Sequence, residues 1–160
     1  MTITAKKFFK KQEAMGRSKK IDILKKIAAF CHKEYNANSD WNSWSFKNFL
    51  WSEWKIVSDQ RIYLTSNAKV LLDSQTIAHV KVFCGFISSF SLIPEIRVTG
   101  TIFDLRTGKI KETAMCKEYG DPDAGYYSGT SDKQEEITFI RDKTSEIAET
   151  MSSFIKTITC

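Results

Sequence analysis

All four tryptophans of this 160-residue chain fall within one short run, Trp41, Trp44, Trp51 and Trp54, with Phe46, Phe49 and Leu50 between them. Indoles at that density offer flat π surfaces. A base stacked on such a ring contributes roughly 1–3 kcal/mol, and an exposed indole is equally suited to anchor a protein partner. Tyr126 and Tyr127, in the glycine-rich stretch GDPDAGYYSGT, form a second aromatic group of the kind loops carry to partners. Upstream lies a cationic set, Lys6, Lys7, Lys10, Lys11, Arg17, Lys19 and Lys20, which can hold phosphate or anionic lipid. Lysine dominates there nine to one over residues 1–33, so the planar forks that read bases are lacking. Phe8 and Phe9 within KKFFKK suit interfacial insertion. The competing structural reading makes the tryptophans core and the lysines a solvated arm. Residues Asp40, Asn42, Ser43, Ser45, Lys47, Asn48, Ser52 and Glu53 alternate with the aromatics as a half-buried helix would have them.

Groups suited to bond-making chemistry are sparse. His79 lies in a β-like run on the face opposite Ala78, Val80 and Val82, with no serine or cysteine elbow nearby, and His32 sits among lysines. Asp121 and Asp123 resemble a fragment of a calcium loop but lack its spacing and closing glutamate, so a turn is expected there. Gly120, Gly125 and Gly129 have no phosphate-loop spacing. Cys31, Cys84, Cys116 and Cys160 form no C-x-x-C pair and read as small apolar fillers. No metal, no cofactor and no catalytic residue is therefore expected.

The elements that must position these groups follow from pattern. Residues 1–33 carry ten Lys/Arg against Glu13 and Asp22, a net +8; the remaining 127, with fourteen basic and seventeen acidic residues, carry −3. The chain's +5 thus describes a basic arm, residues 1–17, ahead of one domain over 18–160. Ser18 caps an expected helix over about 19–35, with Ile23, Leu24, Ile27, Phe30 and Cys31 on one face. The tryptophan run, 41–54, is read as a second helix. At 100° per residue Trp41, Trp44 and Trp51 share an arc of about 80°, with Trp54 about 60° further round.

From Lys55 on, β-branched runs predict strands at 60–65, 68–73, 76–84, 95–104 and 109–118. The LRTG turn between the last two places Gly108 where a type I turn needs a left-handed residue. The apolar linker 85–94 either extends a strand or covers the sheet. A capping box at Ser131 and Gln134 starts a long helix, about 132–158. Its seam of Ile137, Ile140, Thr144, Ile147, Met151, Phe154 and Ile158 fits a helix laid across a sheet or one half of a homodimer.

Through Asp104, Thr107, Gly108 and Lys109, the unit 95–158 resembles the hairpin-plus-long-helix pattern of bacterial envelope lipoproteins of the curli-secretion and penicillin-binding-protein-activator type. That motif is chiefly hairpin chemistry, and neither a secretory h-region nor a lipobox cysteine accompanies it, so no role is carried over. The expected fold is α+β: a mainly antiparallel meander of four or five strands packed with two N-terminal helices and one long C-terminal helix. The expected role is that of a non-enzymatic cytoplasmic adaptor or accessory protein, binding a protein partner or itself through the tryptophan segment or the C-terminal seam. A nucleic-acid-binding or anionic-membrane-binding arm is the alternative, and a small-ligand or enzymatic pocket on the sheet is a third. No run approaches the roughly 20 apolar residues of a membrane span.

Overall fold

A computed structural model describes residues 5–36, 50–86, 91–117, 126–129 and 134–159. Helix α1 runs from Ala5 to Cys31 and passes into a single π-turn, His32–Asn36. The helix expected from Ser18 thus begins earlier. Good helix formers fill residues 5–17, and the lone Gly16 costs only about 1 kcal/mol against Ala. Buried positions recur along one stripe, Lys20, Leu24, Ile27, Cys31 and Tyr35, at spacings of four and three.

Among the described residues seven strands follow: β1 Leu50–Trp51, β2 Lys55–Ser58, β3 Ile62–Asp73, β4 Thr76–Phe86, β5 Pro94–Asp104, β6 Lys109–Lys117 and β7 Tyr126–Gly129. All pair antiparallel in the order β1-β3-β4-β5-β6-β7, and β2 shares the outer edge of β3 with β1. Sheet width is therefore six positions. The tryptophan helix expected over 41–54 is a correction: of its span only 50–54 lies within the described residues, and there the chain pairs with β3 instead. Ser52 splices β1 to β2. Its amide donates to the Asn67 carbonyl (2.8 Å), its carbonyl accepts from the buried Ser66 hydroxyl (3.0 Å), and its hydroxyl accepts from the Asn67 amide (3.0 Å). The described residues accordingly hold two long helices rather than three. The expected strands 60–65 and 68–73 are one strand, β3, because Ser66 and Asn67 continue its alternation without a break.

Strict period-two alternation decides which side of the sheet is core. Leu64, Ala68 and Val70 of β3, Ala78, Val80, Val82 and Cys84 of β4, and Ile96, Val98 and Ile102 of β5 are all buried on one face. Helix α2, Gln134–Thr159, crosses β5 and β6 on that face, and α1 lies beside it over β2 and β3. Phe30 and Phe154 stack between the two helices, centroids 4.2 Å apart. The C-terminal seam is thus packed inward: Ile140, Thr144, Ile147 and Met151 are fully buried, and Ile137, Phe154 and Ile158 flank them. Thr144 satisfies its hydroxyl by donating to the carbonyls of Ile140 (2.9 Å) and Arg141 (3.0 Å) within its own helix. At the other end Lys111 of β6 pairs with the buried carboxylate of Glu136 at 3.1 Å, which ties the first turn of α2 to the sheet.

The β5–β6 turn behaves as the sequence predicts. Gly108 has φ of 69° and its amide donates to the Asp104 carbonyl (2.8 Å). The Asp104 carboxylate accepts from the Arg106 amide (2.9 Å), and that bond, aided by the Arg106 guanidinium, holds its pKa below the ordinary value. The D-x-x-T-G-K motif is thereby accounted for as a turn.

Candidate functional site

Among the described residues, helices cover only one face of the sheet. The opposite face is built from the out-of-phase residues of the same strands: Tyr63, Thr65, Asn67, Lys69 and Leu71 of β3; Ile77, His79, Lys81, Phe83 and Gly85 of β4; Glu95, Arg97, Thr99, Thr101 and Phe103 of β5. Lys69, Lys81 and Arg97 are exposed there. Register places them on a diagonal. Lys69 pairs with His79, two residues from Lys81; Lys81 pairs with Thr99, two residues from Arg97; and Arg97 pairs with Lys117 of β6. Each diagonal step in an antiparallel sheet spans about 7–8 Å. Arg61, just before β3, and Lys55 of β2 add charge at the same end. Glu95 is the one carboxylate among the residues that β3, β4 and β5 place on this face, and among the described residues Arg61, Lys69, Lys81 and Arg97 make no ion pair.

An aromatic pair sits within the cationic file. Phe83 and Tyr63 lie 5.1 Å apart at an angle of 34°. The Phe83 ring crosses over Gly85, where a Cβ would stand 2.7 Å from Cζ, so only glycine leaves room for this placement. The guanidinium carbons of Arg61 and Arg97 stand 5.8 and 5.9 Å from the Phe83 centroid, within cation–π reach. Thr65, opposite Phe83, turns its hydroxyl down to the Val82 carbonyl (2.9 Å), which keeps the surface low around the ring. Partial burial, and then the charges of Lys69 and Lys81, lower the pKa of His79, so it is a neutral donor and acceptor at pH 7.

The residues singled out by sequence are dispersed. Trp51 and Trp54 join Tyr35 in a three-ring stack with centroid spacings of 4.9, 5.3 and 5.8 Å, on the core face. Trp54 is buried and donates its indole N–H to Asn36 Oδ1 (2.6 Å). Their three-residue spacing arises because the splice at Ser52 and Glu53 resets the strand phase, so that both rings point inward without a helix. Trp54→Phe is expected to lose that hydrogen bond and destabilise by about 1 kcal/mol, a fall in Tm of about 2–4 °C by calorimetry. Trp41 and Trp44 lie outside the described residues. Tyr126 and Tyr127 fall in β7, registered with Met115 and Ala114 of β6.

On α1, Lys6, Lys7, Lys10, Lys11, Arg17, Lys19 and Lys20 share one helix. Lys7, Arg17 and Lys19 are exposed. Arg17 donates to the carbonyls of Ser58 (3.3 Å) and Asp59 (3.0 Å), next to Arg61. Lys20 is turned inward, its ammonium 5.1 Å from the Phe86 centroid, and burial followed by the Arg17 charge lowers its pKa. The open-face cations went unmarked in the sequence because isolated lysines and arginines at alternate strand positions look like ordinary solvated residues. The available signal was their phase, out of step with Val80, Val82 and Val98.

A concavity of about 370 Å³ runs along α2 beside Glu135, Phe139, Asp142, Lys143 and Glu146. Its Lys143–Glu146 pair at 3.2 Å is an ordinary i,i+3 contact. No helix among the described residues is long and apolar enough to cross a membrane, and none of their His, Cys, Asp and Glu side chains gather as a metal site. Comparison of the chain with family models, curated proteins and solved structures finds no match.

Proposed function

We propose that this chain is an interaction protein that holds an extended, negatively charged partner across the open face of its sheet. The observation that carries the reading is the diagonal of Lys69, Lys81 and Arg97, exposed and without ion-pair partners among the described residues. Unneutralised like charges repel one another, so a file of them carries a cost in the free protein that an anionic partner relieves. At the β2–β3 turn, Arg17 of α1 donates to the Asp59 carbonyl, two residues before Arg61, so the basic helix meets the end of the open face there. The tryptophan segment and the C-terminal seam are weaker candidates for the interface, since Trp54 and the centre of the seam are buried within the chain.

Heparin serves as a test polyanion. The logarithm of its binding constant is expected to fall linearly with the logarithm of salt concentration, and Lys69→Gln, Lys81→Gln and Arg97→Gln are each expected to lower that slope. Unchanged slopes in all three, with loss of binding only when α1 lysines are neutralised, would move the site to the helix.

A further inference from the structure

Resting on the polyanion reading above, we infer that the partner is a single-stranded nucleic acid, one base of which stacks at Phe83 between Arg61 and Arg97. Three observations converge on that class. First, the cations lie in file rather than as a plane. Diagonal steps of about 7–8 Å across β3, β4 and β5 are comparable to the phosphate repeat of an extended strand. Second, the file contains a ring. Phe83 occupies the β4 position two residues from Lys81 and directly opposite Arg97. Third, both charges beside that ring are arginines, held 5.8 and 5.9 Å from its centroid. A guanidinium stacks on flat π systems and also donates to phosphate oxygens, which an ammonium cannot do together.

The other anionic partners fit less well. An acidic peptide would use the charges but has no need of the Tyr63–Phe83 pair. An anionic bilayer requires apolar side chains that project beyond the cations, whereas Phe83 is half-buried and lies over Gly85. Duplex DNA presents its bases edge-on inside grooves, out of reach of a flat ring on a sheet. A single strand offers both a charged backbone and free base faces, and base–aromatic stacking is tolerant of sequence because every base has a π face.

The test is fluorescence anisotropy with a labelled oligothymidylate of roughly 12 nucleotides, within the range that one small sheet surface covers. Its affinity is compared with an abasic phosphodiester of the same length, a duplex of the same length, and equimolar phosphatidylserine–phosphatidylcholine vesicles at equal salt. The oligothymidylate is expected to bind about tenfold or more tighter than the abasic strand. Phe83→Leu should abolish that advantage while leaving the salt slope unchanged. Lys81→Gln should lower the slope by about 0.7 and keep the advantage. Phe83→Tyr, which retains a stacking ring, should bind like the unaltered chain, and it separates lost stacking from lost folding. Equal affinity for the abasic strand, or a duplex or vesicle bound as tightly as the oligothymidylate, overturns the inference while heparin binding leaves the polyanion reading standing. If heparin does not bind either, that reading falls as well.

Discussion

Gly100→Val is expected to destabilise the protein by about 3 kcal/mol or more, and Gly100→Ala by about 1–3 kcal/mol. Gly100 lies on the core face of β5, paired with Val80, beneath the centre of α2. A Cβ there would stand 2.6 Å from Ile140 Cδ1 and Cγ1 and 2.7 Å from Thr144 Cγ2. Both side chains are fully buried, and Thr144 is further held by bonds to its own helix, so neither can swing aside. The helix has to lift from the sheet instead. Replacing glycine by alanine returns some backbone entropy, about 0.5–1 kcal/mol, which softens the effect without reversing it. In a chain of this size 3 kcal/mol corresponds to a fall in Tm of about 6–12 °C. Trimming the opposing side chain should recover part of the loss, so Gly100→Ala combined with Ile140→Val is expected to be less destabilised than the two single costs added together. Urea unfolding of the set decides the matter. A neutral Gly100→Ala would mean that α2 does not rest on β5 at this point.

Raising the pH above 9 is expected to unfold the protein progressively through buried acids that have no charged form in the core. Cys84 on β4 and Cys31 on α1 are both fully buried free thiols. Burial pushes the Cys84 thiol up to about 12 from 9.0. Burial likewise raises Cys31, with smaller contributions from Cys84 and Glu34, and raises the Tyr35 hydroxyl beside the tryptophan stack. A folded-state pKa above the unfolded one stabilises fully below the unfolded value, and the contribution is lost as pH rises towards the folded value. For Cys84 alone the loss by pH 11 is about 2–3 kcal/mol, and Cys31 and Tyr35 act in the same direction. Lys20, whose pKa burial lowers, acts in the opposite direction, as a single group. Urea midpoints measured from pH 7 to about pH 11 should therefore fall steeply above pH 9, and Cys84→Val should flatten part of that limb. A flat profile would contradict the burial of both thiols.

Much of the frame was legible from the sequence, for reasons that are local. The run TIAHVKVFC states its two faces by alternation, and β4 buries Ala78, Val80 and Val82 as that pattern requires. The turn at Gly108 and the long C-terminal helix follow from residue chemistry that needs no distant partner. Between Trp51 and Trp54 the chain departs from the expected helix, because a three-residue spacing of large rings has two origins. One is a helical face. The other is a strand whose phase resets at an irregular splice, and only the hydrogen bonds of Ser52 to Ser66 and Asn67 show which one holds between Trp51 and Trp54. Those partners are some fifteen residues away in sequence, so no window around the tryptophans contains the information.

What the sequence by itself determined is the α+β class, the strand alternation, the turn and the basic character of the N-terminal segment. Each depends on neighbours within one or two helical turns or strand steps. Only the tertiary structure decided that the C-terminal seam is used up against Gly100 and that Trp54 is core. It also decided that Arg61, Lys69, Lys81, Arg97 and Phe83 belong to one surface. Those five are spread over thirty-seven residues of chain, from position 61 to 97. They become neighbours only when β3, β4 and β5 pair in register, because cross-strand pairing sets which side chains share a face and how far apart they stand.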